Sequence, residues 1–466
     1  MKRASLLIGL ALGFAQFCMG VCQAQNASKG HFHFAGPMSA YMLNGAAPGR
    51  VATGLHFTLV LTDRGATIAP NRFDLKGAKW TGSATLSFEG LKFENGELKG
   101  TVHLRNASGS VIEGVRLDIT GATEEYKGLT SQGKDTLMTR PQSASLPSPL
   151  LFGDVPNGQD ADSASLEVGG LVFNPETTKL SVHGALSGLY YLGGFEVIKL
   201  RAVPAMDVDS QGNLYFVDVT EHSVVRTKAD GSDQVAVVKL PDQSLGVAVD
   251  RKNGDIYATA VNNAAIFRFS SGGELKGKIE AKDGLRGWTH NLRVSSDGTL
   301  YSDMSGSLVE IVNGKAGRVL SQVAGERIGA RLFDIDADGN IWLCTSTSFF
   351  KSDIAGKNGK RIGTGPDWHL GSITTPNGCR VDATGQVYVT EGEDRQEAGR
   401  ISVFDKDGKL VRVFGRGSST RLVGKLNPGQ VFRATDIAFG PDGRVYVVHA
   451  GDPGSKSPLV LMFQPF

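Results

Sequence analysis

The sequence predicts an all-β chain, and three observations predict it. A strand–turn–strand unit recurs six times through the C-terminal part. Before it, apolar residues alternate with a period of two and no helical period competes. The one long apolar stretch stands at the N-terminus behind Lys2 and Arg3. Together these describe a leader, an Ig-like β-sandwich and a six-bladed β-propeller.

The leader comes first. Lys2 and Arg3 form a basic start, residues 6–17 an apolar run, and Cys22-Gln23-Ala24 places small residues for cleavage after Ala24. Residues 1–24 therefore read as a secretory signal peptide, which predicts a secreted or periplasmic protein with no integral membrane span after cleavage. Cys18 and Cys22 lack the preceding tripeptides that lipidation requires. The chain carries 49 Lys+Arg against 47 Asp+Glu, a net charge of +2, and cleavage removes two of the cations. A neutral protein without basic clusters is not built to neutralise phosphates, so nucleic acid is excluded as a partner. At 40% hydrophobic and 21% charged the composition also excludes a disordered chain. After cleavage Cys344 and Cys379 remain; both read as buried thiols, with pairing the alternative in an oxidising compartment.

Residues 28–192 are expected to form the sandwich. Val102 and Leu104 share one face of a strand, as do Val115, Leu117 and Ile119 of another, with the turn Asn106-Ala107-Ser108-Gly109 between. Leu166 with Val168, and Leu180 with Val182, continue the pattern. Residues 128–165, rich in Ser, Pro, Asp and Gly, read as a long loop or linker.

Residues 195–466 are expected to form the propeller. Val208-Asp209-Ser210-Gln211-Gly212-Asn213-Leu214-Tyr215 is the first unit, and the turn glycines recur at 212, 254, 298, 339, 385 and 443. The spacings suit four strands per unit. The last unit runs out of chain before its outer strand, so residues 196–201 are expected to complete it and close the ring, which removes the free sheet edges.

The register of the repeat brings distant residues to one face. The loops that enter the inner strands supply Pro204, Leu245, His290, Arg331, Asn377 and Thr435. The ends of the second strands supply Asp218, Ala260, Met304, Thr345, Glu391 and His449. Glu391 and His449 suit an acid–base pair, because a carboxylate orients an imidazole and raises its basicity, and Asp218 stands in the next unit of a closed ring. These three are the candidate catalytic residues. His290, Arg331, Asn377 and Thr435 are candidates to hold a ligand, Arg331 through a carboxylate or oxyanion. Trp288 and Trp368 flank the site for stacking, or pack their own loops. Asn377 and Glu391 are the candidate oxygen ligands of a hard cation such as Ca²⁺.

Gly399-Arg400-Ile401-Ser402-Val403-Phe404-Asp405-Lys406-Asp407-Gly408-Lys409-Leu410, continuing to Val413-Phe414-Gly415, resembles an NHL repeat. Residues 195–466 as a whole resemble NHL and gluconolactonase-like six-bladed propellers. Such propellers host hydrolases, lyases and binding modules alike, so the resemblance speaks for fold more than for activity. Pro376-Asn377-Gly378 resembles the metal-binding strand start of gluconolactonase-like enzymes, but Pro204 and Thr435 stand where that family has carboxylates. Propeller lyases that act on amidating peptides carry three histidines at the mouth, and His290 alone matches. Two expectations follow: a binding protein for a small polar molecule, peptide or glycan on one propeller face, or a metal-dependent hydrolase or lyase of the gluconolactonase-like type. The cofactor is left open, with a divalent cation as its candidate.

Overall fold

The computed structural model describes residues 55–465 except 63–64, 77–80, 130–134, 143–149, 156, 162, 172–177, 198–202, 262–263, 286, 288, 329–331, 345–348, 363–375, 392–399, 416–427 and 450–458. The expected leader, Arg331, Trp288 and Trp368 lie outside the described residues. Among those described, the chain is nearly all strand, with one 3-10 turn at Ala281–Asp283. None of the described helices is long and apolar enough to cross a membrane.

Two sheets face each other in the N-terminal region. One contains Arg72–Lys76, Thr81–Glu94, Glu97–Ala107 and Ala164–Val168 in that order. The other is built on the 19-residue strand Thr178–Glu196, flanked by Leu55–Thr62 and by Ile112–Leu129. Their inward faces share one core containing Phe57, Leu59, Leu86, Val102, Leu104, Leu117, Leu166 and Val182. These are the residues that alternate in the sequence, since successive side chains of a strand point to opposite faces. The stretch expected as a linker is instead partly strand: Asp135–Pro141 and Leu150–Val155 both pair with Ile112–Leu129. Phe152 and Val155 are buried in the shared core, and that apolar anchoring overrides the turn-rich composition around them.

The C-terminal region is a ring of antiparallel sheets. The first is Met206–Val208, Leu214–Asp218, Ser223–Thr227 and Val235–Lys239. The second starts at Val247–Val249, the third at Leu292–Val294, the fourth at Leu332–Ile335 and the fifth at Pro376–Val381, each with four strands. Ala434–Phe439, Val445–His449 and Leu459–Pro465 begin a sixth. The innermost strands touch in a closed cycle, first to sixth and back to first.

The sixth sheet takes its outer strand from far upstream. Residues Leu189 to Glu196, the second half of Thr178–Glu196, pair with Leu459–Pro465. These residues take the outer place expected for 196–201; of that stretch, residues 198–201 lie outside the described residues. The reason is length: a strand begun in the N-terminal sheet runs on past a bulge at Tyr191/Gly193 and reaches the ring without a break. One strand thus belongs to both regions. Buried polar bonds reinforce the seam. Glu113 accepts from Gly415 N at 2.8 Å, Arg116 donates to Val411 O at 3.2 Å, and Arg412 donates to Ser187 Oγ at 3.0 Å.

The repeat has a local cause. Asp209 accepts from the backbone N–H of Gln211 and Asn213, both at 2.9 Å, and Gly212 takes φ +84° to complete the turn. Asp336 and Asp382 cap their turns in the same way. In two sheets the aromatic near the start of the second strand reaches back to the turn: Tyr215 Oη donates to Asp209 at 3.1 Å and Trp342 Nε1 to Asp336 at 2.9 Å. Burial first, then Asp209, pushes the Tyr215 pKa up to about 12, which keeps the phenol a donor.

Candidate functional site

The channel through the ring has two ends. At the entry end the chain comes into each innermost strand; at the hairpin end that strand turns into the next. The sequence-derived candidates belong to the entry end.

There a polar side chain on the second strand can anchor the incoming loop. In the second sheet Thr259 Oγ1 accepts from Leu245 N at 3.1 Å and Gly246 N at 3.0 Å. In the third sheet the same register position is Asp303, whose Oδ1 accepts from His290 N at 2.8 Å and from Asn291 N. A carboxylate has a second oxygen to spare, and Asp303 Oδ2 lies 3.1 Å from His290 Nδ1. Asp303 is fully buried, whereas a fifth of the His290 side chain is exposed. An ionised carboxylate accepts only, so Nδ1 carries the proton and Nε2 presents a lone pair. This pair is a positioned acceptor that can take a proton from, or hydrogen-bond to, a ligand at the mouth. Next to it in sequence, Thr289 Oγ1 is buried without a hydrogen-bond partner among the described residues. Sequence reading placed His290 at the mouth but missed Asp303. Its signal was a lone acid, Ser302-Asp303-Met304, one position before the strand end that the register singled out.

Two more candidates mark irregularities. In the fifth sheet the pairing shifts between Pro376 and Gly378, and in the sixth between Ala434 and Asp436. The extra residues of these bulges are Asn377 and Thr435. A bulge re-aims the strand beside it. Asn377 is exposed and its Nδ2 donates to Ala434 O at 3.1 Å, while Thr435 Oγ1 donates to Val203 O at 2.7 Å.

The three candidate catalytic residues are engaged structurally. Glu391 is fully buried; it accepts from Ser402 Oγ and pairs with Arg400 at 3.0 Å. His449 is fully buried, with Nδ1 accepting from Phe432 N at 3.3 Å. Asp218 caps the turn after its strand by accepting from Thr220 N and Glu221 N, both at 2.9 Å. Of the expected cation ligands, Glu391 is paired with Arg400, and the Asn377 amide nitrogen donates to a carbonyl. Among the described residues no group of three or more His, Cys, Asp or Glu is arranged to hold a metal. Cys379 is a buried free thiol.

Midway, charged side chains plug the channel. Arg293 of the third sheet reaches across to Asp436 of the sixth at 3.5 Å and donates to Asn291 Oδ1 and Leu292 O. Arg380 pairs with Asp436 at 3.3 Å and Asp207 at 3.6 Å and donates to Met206 O. The acids also bridge neighbouring sheets: Asp436 accepts from Met206 N, Asp207 from Val249 N and Asp334 from Val381 N. Burial raises the Asp334 pKa above its ordinary value, against Arg380 and Arg293. Burial and Arg380 hold Arg293 below its ordinary value; for Arg380 itself the three acids outweigh burial and raise it. Buried ions of this kind persist only when paired.

Beyond the plug, the hairpin end opens into a cavity of about 900 Å³ walled by Arg251, Lys252, Arg293, Asp334, Arg380 and Phe439, among others.

No protein-family model matches the chain, and no curated protein matches it in sequence. Solved structures similar to it include a streptogramin B lyase, at 13% identity and a TM-score of 0.40 over 82% of this chain and 98% of that one. A gluconolactonase from Xanthomonas campestris aligns at 14% identity and a TM-score of 0.41, over 59% of this chain and 90% of that one. Virginiamycin B lyase from Staphylococcus aureus aligns at 13% and 0.39, over 82% and 99%. These neighbours are β-propellers. At such identities and scores the likeness assigns no activity to this chain.

Proposed function

We propose that the chain is an exported six-bladed β-propeller that binds a small polar ligand, peptide or glycan at the entry end of its channel. The closed cycle of innermost strands supports the blade count. Residues 1–24 support export. The observation that carries the binding reading is the His290–Asp303 pair: a partly exposed imidazole held by a buried carboxylate, with its other nitrogen left to accept. Exposed Asn377 adds a polar group from the bulged strand Pro376–Val381 at the same end.

The same pair supports a second reading, a hydrolase or lyase in which His290 takes a proton from the substrate while Asp303 stabilises the imidazolium that forms. Acid–base assistance of this kind is worth roughly 10²–10⁴ in rate. No step in this reading passes through a metal.

Both readings are tested together on the protein of residues 25–466. Binding of monosaccharides, amino acids and dipeptides is measured by calorimetry, and turnover of lactones and esters is followed in parallel. Saturable binding lost in His290→Ala, without turnover, supports the binding protein. Turnover lost in both His290→Ala and Asp303→Asn supports the enzyme. Binding and turnover that His290→Ala leaves intact, or the absence of both, contradicts the site.

A further inference from the structure

The cavity at the hairpin end is walled in part by Arg293 and Arg380, the charged side chains that reach Asp436 across the ring. Its size is that of a small-molecule site. Its hydrogen-bonding capacity is lopsided.

The acids in its wall have their acceptor atoms occupied from within. Asp250 takes Lys252 N at 2.9 Å and Asn253 Nδ2 at 2.7 Å. Asp336 and Asp382 are spent on their own turns. Asp207 and Asp334 hold backbone N–H groups of neighbouring sheets.

The cations are less committed. Arg293 is only 2% exposed and lines the cavity, yet its Nε has no hydrogen-bond partner among the described residues. The nearest acceptor, Asp334 Oδ1, stands at 3.7 Å, too long for a hydrogen bond. Arg251 spans the cavity wall, fixed by Val208 O at 3.1 Å and Phe439 O at 3.0 Å through Nε and Nη2, which leaves Nη1. Lys252, beside it, is exposed on the same wall and makes no ion pair among the described residues. A buried donor without a partner is costly unless something accepts from it. Val249, Val294 and Phe439 offer apolar wall beside these donors.

We propose that this cavity is a second ligand site, for a small molecule bearing an oxyanion, either a carboxylate or a phosphate, which accepts from Arg293 with Arg251 and Lys252 at the rim. Charge-assisted hydrogen bonds are the stronger kind and supply the affinity. The carboxylates in the wall cancel long-range attraction, so selectivity comes from contact rather than from the overall field.

The test is calorimetric titration of the full mature chain with inorganic phosphate and, separately, with succinate, at constant ionic strength. Saturable binding of at least one anion is expected, weaker by about tenfold in Lys252→Gln. Arg293→Lys, which keeps the charge and loses Nε, is expected to weaken it further. His290→Ala is expected to leave it unchanged, which separates this site from the entry-end reading. Binding of phosphate alone identifies a phosphate-bearing ligand, and of succinate alone a carboxylate. Lys252→Gln is an exposed change, so it decides the matter even if Arg293→Lys does not fold. No saturable binding of either anion, or binding that Lys252→Gln leaves at wild-type strength, overturns the proposal.

Discussion

The two ends of the channel obey different rules. At the hairpin end, Asp209, Asp336 and Asp382 perform one task with nearly the same distances, and the aromatics behind the first two point to their turns. At the entry end each sheet differs: Thr259 anchors one loop, Asp303 anchors the next and adds a histidine, and two sheets carry bulges. Repetition secures the fold, and individual departures from it supply chemistry. Between the ends, the plug of Arg293, Arg380 and three aspartates ties the sheets together and keeps the ends apart.

Breaking the divider has the largest expected effect. Asp436→Ala removes the acceptor of Met206 N and a carboxylate that pairs with two buried guanidiniums, so a loss of about 3–5 kcal/mol is expected in urea unfolding. A loss below about 1 kcal/mol would mean that the plug does not join the sheets.

The entry end comes next. Asp303→Asn keeps the shape but replaces an acceptor-only carboxylate by an amide, so about 1–3 kcal/mol of stability is expected to go with the charge-assisted bonds to His290 and Asn291. At the hairpin end Asp297→Ala removes an exposed turn acceptor, that of Thr299 N at 3.0 Å and Ser295 Oγ at 2.6 Å, for which about 1 kcal/mol is expected by the same measurement. A cost equal to that of Asp303→Asn would erase the contrast between the ends.

The smallest effect concerns pH. Burial raises the Asp334 pKa above its ordinary 3.8. Between those two values the folded state holds a proton that the unfolded state has released. Its contribution to stability is therefore complete below the ordinary value and is lost as pH rises through the folded one. Asp334→Asn is expected to flatten this part of the stability curve. An unchanged slope would show that Arg293 and Arg380 already cancel the burial.

These contrasts also explain what could be read from the chain. The Asp-turn-Gly-aromatic unit is legible because all its bonds close within about seven residues, as between Asp209 and Tyr215. The alternation of Val102, Leu104, Leu166 and Val182 is legible for the same reason of locality. The entry-end register brought His290, Asn377 and Thr435 to notice by position alone. Their partners lie elsewhere: Asp303 thirteen residues from His290, Ala434 fifty-seven from Asn377, and Val203 more than two hundred from Thr435. Glu391 and His449 looked reactive by residue type, but Arg400, Ser402 and Phe432 N occupy them. The plug was illegible because Arg293 meets Asp436 across the channel, 143 positions away in sequence. The closing strand was displaced because nothing local tells that Thr178–Glu196 serves two sheets.

The most direct test is a nitrogen-15 NMR titration of His290 in the wild type and in Asp303→Asn. The neutral ring is expected to carry its proton on Nδ1, with Nε2 unprotonated, and the substitution is expected to shift the ring toward the opposite tautomer. A wild-type ring protonated on Nε2, or a tautomer that Asp303→Asn does not change, would contradict the account.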